Sequence, residues 1–255
     1  MIEKGYTIKD FPIDKKITAD GASLNRYVNL MHVFFQVDIA HIRQQIRISK
    51  KEGKRSISIT ACLLYCFTQT LDKNKETFAL VGKRNKYYQF DEANVFFPFA
   101  FQQEGKTLTW YKIVKRANKK SLLELEDDLQ KIRKSKKTFT YAERLFMSFP
   151  TIVRRLFYHR MMRTPLIRKK EFGNVYFSST MHLGNSKNMM HGLPTHFHSV
   201  GMFVGTLKDE KNKDLEKPNA SILAITLSLD HLISDGSTLT KLYKEFVDQV
   251  ENFSL

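Results

Sequence analysis

The chain has 255 residues, 42% of them apolar, so one domain can bury a core and disorder is a poor account of the sequence. It has no run of roughly 20 apolar residues that could cross a membrane, and its first ten residues carry charges of both signs where a signal peptide needs an apolar run, so we expect a cytoplasmic protein. The net charge of +16 favours an anionic partner, whether a nucleic acid, an anionic lipid surface or a phosphorylated small molecule, and does not choose among them.

The N-terminal quarter predicts an arm, a strand and two helices. Residues 1–25 form a polar arm with a turn signal, Ala-Asp-Gly, at residues 19–21. The apolar-rich stretch 27–39 predicts a mostly buried strand, which a helix follows. Residues 58–72 are apolar nearly all round and predict a buried helix.

Strand patterns dominate the next part of the chain. Three candidates at residues 86–90, 94–101 and 108–114 predict a β-meander. Ser121 and Glu124 then form a capping box, in which the serine hydroxyl accepts a backbone N–H and the carboxylate reaches back. An amphipathic helix follows, with an apolar face formed by Leu122, Leu125, Leu129 and Ile132.

Residues 140–170 form a basic, amphipathic helical segment with a break predicted at Pro150. Most of the excess positive charge lies here, because residues 131–170 hold thirteen Lys or Arg against a single acid, Glu143. Two interpretations stay open for the segment: a helix pair packed on the domain, or a lid that contacts a membrane surface or a lipid.

The last third of the chain alternates strands with polar connections. Strand patterns occur at residues 174–181, 200–207 and 220–229, and a charged, hairpin-like insertion occupies residues 208–218. The last helix begins after Gly236, and its apolar residues follow the spacing of one helical face. We find no internal repeat and no low-complexity linker, and therefore expect a single α/β domain over residues 1–255.

The strongest chemical signal lies between Leu227 and Gly236, where a buried strand runs into a polar turn and then into a helix. His231 and Asp235 stand four residues apart across that turn. A carboxylate so placed can orient the imidazole or fix the loop that carries it, and Gly236 permits a sharp turn. A neutral imidazole near physiological pH suits a general base.

The run Ser-Leu-Asp-His-Leu-Ile-Ser-Asp-Gly, residues 228–236, resembles a motif of a known superfamily. Chloramphenicol acetyltransferases and the catalytic domains of the dihydrolipoyl acyltransferases of 2-oxo acid dehydrogenase complexes share this His-x-x-x-Asp-Gly pattern, and the run resembles the second group more closely. Residues 34–39 are similar to the family's early strand. Residues 175–179 and 201–207 resemble the strands before its catalytic loop, so the likeness covers roughly residues 27–252.

This resemblance implies an α/β fold of the chloramphenicol acetyltransferase type, a two-layer sandwich in which helices pack on a mixed β-sheet. It implies an enzyme that moves an acyl group between coenzyme A and a thiol, hydroxyl or amine acceptor. His231 matches the general base. A hydroxyl on the strand before the catalytic loop stabilises the oxyanion in this family; Ser179 is its match, with Ser178 and Thr180 as substrate-site alternatives. Asp235 is assigned to structure and orientation.

The resemblance also implies partners. We expect acyl-coenzyme A as co-substrate, a small-molecule acceptor, no metal and no covalently bound lipoyl group. We expect a homotrimer with each active site between two subunits, and Gly236 among the substrate-binding residues. No nucleic acid partner is expected, and contact with a membrane surface stays open.

Departures from the family support a second hypothesis, a degenerate acyltransferase fold that acts as a scaffold or as an anion- or membrane-binding module. The family usually has Arg directly after the histidine, where this chain has Leu232. Its arginine-rich opening has no clean counterpart among Lys15, Lys16 and Arg26. The sequence shows no lipoyl domain, peripheral binding domain or Ala/Pro-rich linker, so we expect a free-standing enzyme more than a member of a dehydrogenase core.

Four histidines, His182, His191, His196 and His198, crowd the stretch beyond Ser179. No cysteine and no suitable carboxylate pair lies near them in the sequence. We therefore interpret them as lining a solvated or substrate-facing loop and not as metal ligands.

Overall fold

The computed structural model describes residues 13–82, 86–103, 106–135, 140–181, 188–210 and 220–255. The helices are α1 Ile13–Ala22, α2 Ala40–Lys51, α3 Ile59–Lys73, α4 Leu122–Lys134, α5 Tyr141–Ser148, α6 Thr151–Met162, α7 Pro165–Phe172 and α8 Gly236–Glu251. The strands are β1 Leu30–Asp38, β2 Leu80–Val81, β3 Tyr87–Tyr88, β4 Val95–Gln103, β5 Lys106–Val114, β6 Val175–Ser179, β7 Val200–Glu210 and β8 Ala220–Asp230.

Six strands form one mixed sheet in the order β1-β8-β7-β6-β4-β5. Strand β8 is antiparallel to both β1 and β7, β6 is parallel to both β7 and β4, and β4 and β5 are antiparallel. Strands β7 and β8 are buried along almost their whole length. They read as near-continuous apolar runs because both faces of the sheet are covered there.

Helices α2, α3, α4 and α8 cover one face of the sheet and enclose the main core. Helix α3 lies at its centre, where Phe67 packs against Phe177 of β6 with ring centroids 6.3 Å apart. The buried helix predicted at residues 58–72 is therefore confirmed. This helix layer on a mixed sheet confirms the predicted two-layer α/β architecture.

Residues 188–199 lie across the opposite face of the sheet. The ring of His196 stacks on Tyr176 of β6, with centroids 4.7 Å apart. A small second core joins this stretch to α6, α7 and the segment before β1; its buried members are Leu24, Met162, Phe172 and Phe197. The opposite face is thus partly covered by irregular chain and by α6 and α7.

Two predicted features are wrong. Residues 19–21 form no turn but lie in α1, where the buried carboxylate of Asp20 accepts hydrogen bonds from Arg154 of α6. The three-strand meander does not form, because β3 pairs with β2 while β4 pairs with β5. The charged insertion predicted at 208–218 lies mostly outside the described residues.

The basic segment 140–170 forms α5, α6 and most of α7, and Pro150 separates the first two as predicted. The pair α5–α6 packs against α1. No helix in the described ranges is long and apolar enough to cross a membrane.

Candidate active site

His231 directly follows β8, and its side chain is exposed. Its backbone N–H donates to the carbonyl of Asn29 at 2.8 Å, which fixes the start of the turn to the segment before β1. Within the described part of the chain, the imidazole makes no hydrogen bond. Both ring nitrogens are therefore available to a ligand.

Asp230, the last residue of β8, supports this turn from inside. Its Oδ1 accepts the backbone N–H groups of Asn29 at 2.9 Å and Leu232 at 3.1 Å. Burial raises the pKa of this carboxyl, and the two N–H groups and Arg168 oppose that shift. Sequence reasoning missed this residue, although a carboxylate that ends an apolar strand is a signal that could have identified it.

Asp235 caps the N-terminus of α8. Its Oδ1 accepts the backbone N–H groups of Ser237 at 3.1 Å and Thr238 at 3.0 Å. Hydrogen bonds from the Ser237 hydroxyl and from the first turn of the helix lower its pKa to about 2. The carboxylate therefore fixes where the helix begins, and in the described residues it is not bonded to the His231 ring.

Gly236 is the first residue of α8. Its φ lies outside the left-handed region, and a Cβ there would meet nothing within 4 Å. The sharp turn predicted at this glycine is therefore wrong. The open space beside Gly236 is compatible with the substrate-binding role that the sequence suggested.

The candidate oxyanion hydroxyls lie at and just beyond the end of β6. Ser179 is in register with Val204 on the helix-covered face of the sheet, and Ser178 is in register with Phe203 on the opposite face. Thr180 follows the strand. Adjacent positions thus face different layers, as strand alternation requires.

These three hydroxyls differ in their hydrogen bonds. Thr180 Oγ1 donates to a carbonyl of β7 at 3.3 Å, and Ser178 shares a hydrogen bond with the phenol of Tyr176. Ser179 Oγ accepts a backbone N–H from two residues further on, at 3.2 Å. Its own hydrogen has no acceptor among the described residues, so Ser179 is the candidate with a free donor.

One chain does not bring Ser179 and His231 together. Ser179 pairs with Val204, which pairs with Ile225, five residues before Asp230. His231 is six residues beyond Ile225, so the two candidates are separated by about 20 Å along the strands and by two strand spacings, about 10 Å, across them.

A cavity of about 510 Å³ opens beside the turn that carries His231. This volume is in the range of small-molecule sites. Its lining includes Asp230 and Leu232, which flank His231, together with Arg26, Tyr27, Arg163 and Arg168.

The histidines beyond β6 are not in the environment that we expected. His196 and His198 are buried, so the prediction that they lie in a solvated loop is wrong. His196 Nε2 lies 2.6 Å from the hydroxyl of Ser228. Burial lowers the pKa of His196 well below its usual value and that of His198 to about 3. His191 is half-buried and His182 lies outside the described residues.

No protein family and no curated protein matches this chain by sequence. Solved structures do match it. The probable dihydrolipoamide acetyltransferase of Listeria monocytogenes superposes with a TM-score of 0.68 at 16% identity, over 98% of this chain and 99% of that one. A chloramphenicol acetyltransferase gives a TM-score of 0.53 at 12% identity, over 95% and 99%.

A third match is the dihydrolipoamide acetyltransferase of Azotobacter vinelandii, with a TM-score of 0.66 at 14% identity over 98% of this chain and 94% of that one. This chain has the chloramphenicol acetyltransferase-like fold. The matched proteins are acyltransferases, and the Azotobacter enzyme was investigated for the role of a serine, a histidine and an asparagine in its catalytic mechanism. The chloramphenicol acetyltransferase-like fold expected from residues 228–236 is thus confirmed over nearly the whole chain.

Proposed function

We propose that this chain is a cytoplasmic acyltransferase that moves an acyl group between coenzyme A and a thiol, hydroxyl or amine acceptor. The observation that carries the proposal is the exposed imidazole of His231, which stands without a hydrogen-bond partner among the described residues, beside a cavity and in a fold shared with acyltransferases. A rigid strand and an anchored turn hold that imidazole, as a general base requires.

In the forward reaction, His231 takes the proton of the acceptor, whose thiol, hydroxyl or amine attacks the thioester carbonyl. The tetrahedral intermediate expels the coenzyme A thiolate. That thiolate recovers the proton from the imidazolium, so that the ring is neutral again and free coenzyme A leaves. General-base help of this kind is worth about 10² to 10⁴ in rate.

Ser179 is proposed as the donor to the oxyanion. Its hydroxyl hydrogen has no acceptor among the described residues, unlike those of its neighbours. In the Azotobacter enzyme, the investigated serine precedes the histidine by 52 positions and the asparagine follows it by four. The same two spacings, counted from His231, fall on Ser179 and Asp235.

A site between subunits of a homotrimer follows from the separation of the two residues. In one chain His231 and Ser179 lie about 20 Å apart along the strands, so one subunit can supply the base while its neighbour supplies the oxyanion donor. A monomer in light scattering at working concentration would contradict this arrangement.

The test is release of coenzyme A from acyl-coenzyme A donors of short to long chain, with thiol, hydroxyl and amine acceptors. His231→Ala should lower the rate by about 10² to 10⁴, and Ser179→Ala should lower kcat by about 10² to 10³. Ser178→Ala is the matched control and should retain most of the activity. Equal rates for the wild type and His231→Ala across the panel would favour the scaffold hypothesis.

A second candidate function is favoured by the exposed surface of α5 and α6. Large apolar side chains there face solvent beside basic ones; the most exposed are Tyr141, Ile152 and Leu156. Apolar anchors beside Arg side chains suit an anionic membrane surface. We propose that this surface places the protein on such a membrane.

A further inference from the structure

The cavity beside His231 is positively charged. Three guanidinium groups line it, from Arg26, Arg163 and Arg168, against the one carboxylate of Asp230. Neither Arg26 nor Arg163 lies within 4.0 Å of a carboxylate oxygen in the described part of the chain, so their charges are not compensated locally. A cavity with this excess of positive charge attracts an anionic ligand.

Arg168 differs from the other two arginines that line the cavity because it is buried. Only 4% of the residue is exposed, and its Nε has no hydrogen-bond partner. One terminal nitrogen donates to the carbonyl of Phe197, and Asp230 contributes a favourable charge. A buried guanidinium nitrogen without an acceptor is costly, and an anion in the cavity would supply that acceptor.

His159 of α6 holds Arg26 and Tyr27 in the lining of the cavity. Arg26 donates to Nε2 of this ring, and the Tyr27 hydroxyl lies 2.6 Å from Nδ1. Partial burial and then Arg26, Arg163 and Arg155 lower the pKa of His159. The ring therefore positions Arg26 by accepting a hydrogen bond at Nε2.

We propose that this cavity binds a phosphate or carboxylate group of the acyl acceptor, so that the acceptor is an anionic small molecule. This inference rests on the proposed acyl transfer. Asp230 and Leu232, the residues on either side of His231, line the cavity, and an acceptor anchored there by its anionic group can extend around the turn to the imidazole. Coenzyme A also carries phosphates, but its long pantetheine chain keeps them far from its sulfur, which favours the acceptor as the source.

The binding test needs no acyl donor. Calorimetry at low salt with inorganic phosphate, pyrophosphate and succinate as probes should show binding to the wild type. Arg163→Gln and Arg26→Gln should each weaken it at least tenfold, because each removes a charge-assisted contact. Arg160→Gln, on the exposed surface of helix α6, and His231→Ala should bind as the wild type does. Unchanged binding in both cavity variants, or an equal loss in Arg160→Gln, would overturn the site.

The kinetic test decides whether the anionic group in the cavity belongs to the acyl acceptor or to coenzyme A. Transfer to mercaptosuccinate and to 2-mercaptoethanol is followed as free coenzyme A by chromatography. The anionic thiol should be preferred, and Arg163→Gln should raise its KM at least tenfold while changing the KM for acyl-coenzyme A less than twofold. A rise in the KM for acyl-coenzyme A instead would overturn the acceptor assignment. No transfer by the wild type, with arginine-dependent binding intact, would reject the proposed function and leave the anion site in place.

Discussion

Two neighbouring residues, Asp230 and His231, show how a strand end produces a reactive group. The carboxylate points into the protein and holds two backbone N–H groups, whereas the imidazole points to solvent. Strand alternation places them on opposite sides, and the bond from His231 N–H to Asn29 fixes the turn between them. The base is therefore positioned by its backbone and by its neighbour, not by a carboxylate on its ring.

Arg154 forms a buried ion pair with Asp20, with the Arg154 Nε 2.7 Å from a carboxylate oxygen. Arg154→Met leaves that buried carboxylate with only the longer contact to Arg155 Nε, at 3.9 Å, and should lower the free energy of unfolding by about 3 kcal/mol. Urea unfolding measures the change. Arg160→Met, exposed on the same helix, should change it by less than about 0.5 kcal/mol.

The double variant Asp20→Asn, Arg154→Met decides whether the charge is the cause. It should be less destabilised than the sum of the two single variants, because no uncompensated carboxylate remains. Additive losses would mean that packing, and not the ion pair, holds α6 against α1.

At the residue scale, the sequence predicted His231 and Asp235 from one motif and Ser179 from the resemblance of its strand to a strand of the family, and all three roles stay predictions. It could not identify Arg168, because the cavity that makes this residue informative is assembled from α7, β8 and the segment before β1. Those elements lie far apart in the chain, and no local sequence pattern in them predicts that they line the same cavity.

At the element scale, the helices were the most predictable parts. Apolar periodicity located α3, α4 and α8, the capping box at Ser121 forms in the structure, and Pro150 ends α5. The pairing of β3 was not predictable, since a short strand can join either neighbour and only tertiary contacts decide. For α5 and α6 the sequence left two interpretations open, a helix pair packed on the domain and a lid that contacts a membrane surface, and it could not show which apolar side chains stay exposed.

That surface predicts binding to vesicles that contain phosphatidylglycerol, measured by co-sedimentation. The double variant Ile152→Ser, Leu156→Ser should lower the partition coefficient at least tenfold, because each side chain loses much of its transfer free energy. Leu123→Ser, an exposed leucine on α4, is the matched control.

Salt should weaken this binding, since raising it from 0.1 to 0.5 M screens the basic side chains. Equal partition of the wild type and the α6 variant, or no difference between anionic and neutral vesicles, would reject the membrane surface and leave α5–α6 free for another partner.

At the scale of the whole molecule, the buried histidines tie stability to pH. The folded state keeps His198 neutral down to about pH 3, whereas an unfolded histidine takes up a proton near pH 6.5. Stability is therefore full above pH 6.5 and falls as the pH drops below it, by about 1.4 kcal/mol at pH 5.5 for this residue alone.

Urea unfolding at pH 7.5 and 5.5 tests this dependence. The free energy of unfolding should fall by about 1.4 kcal/mol less in His198→Gln than in the wild type between pH 7.5 and pH 5.5, because glutamine does not titrate. Identical losses in the wild type and the variant would show that His198 is not held neutral by burial.

The pairing of β1 with β8 has a consequence for how the protein is made. Leu30 and Asp230 are sheet partners although 200 residues separate them in the chain. At ordinary rates of synthesis that interval takes roughly 10 to 40 s, during which β1 and the apolar surface of α3 have no finished sheet to cover them. A ribosome-bound nascent chain is therefore exposed to aggregation and to chaperones until β8 and α8 emerge, and the turn that carries His231 takes shape only in that final step.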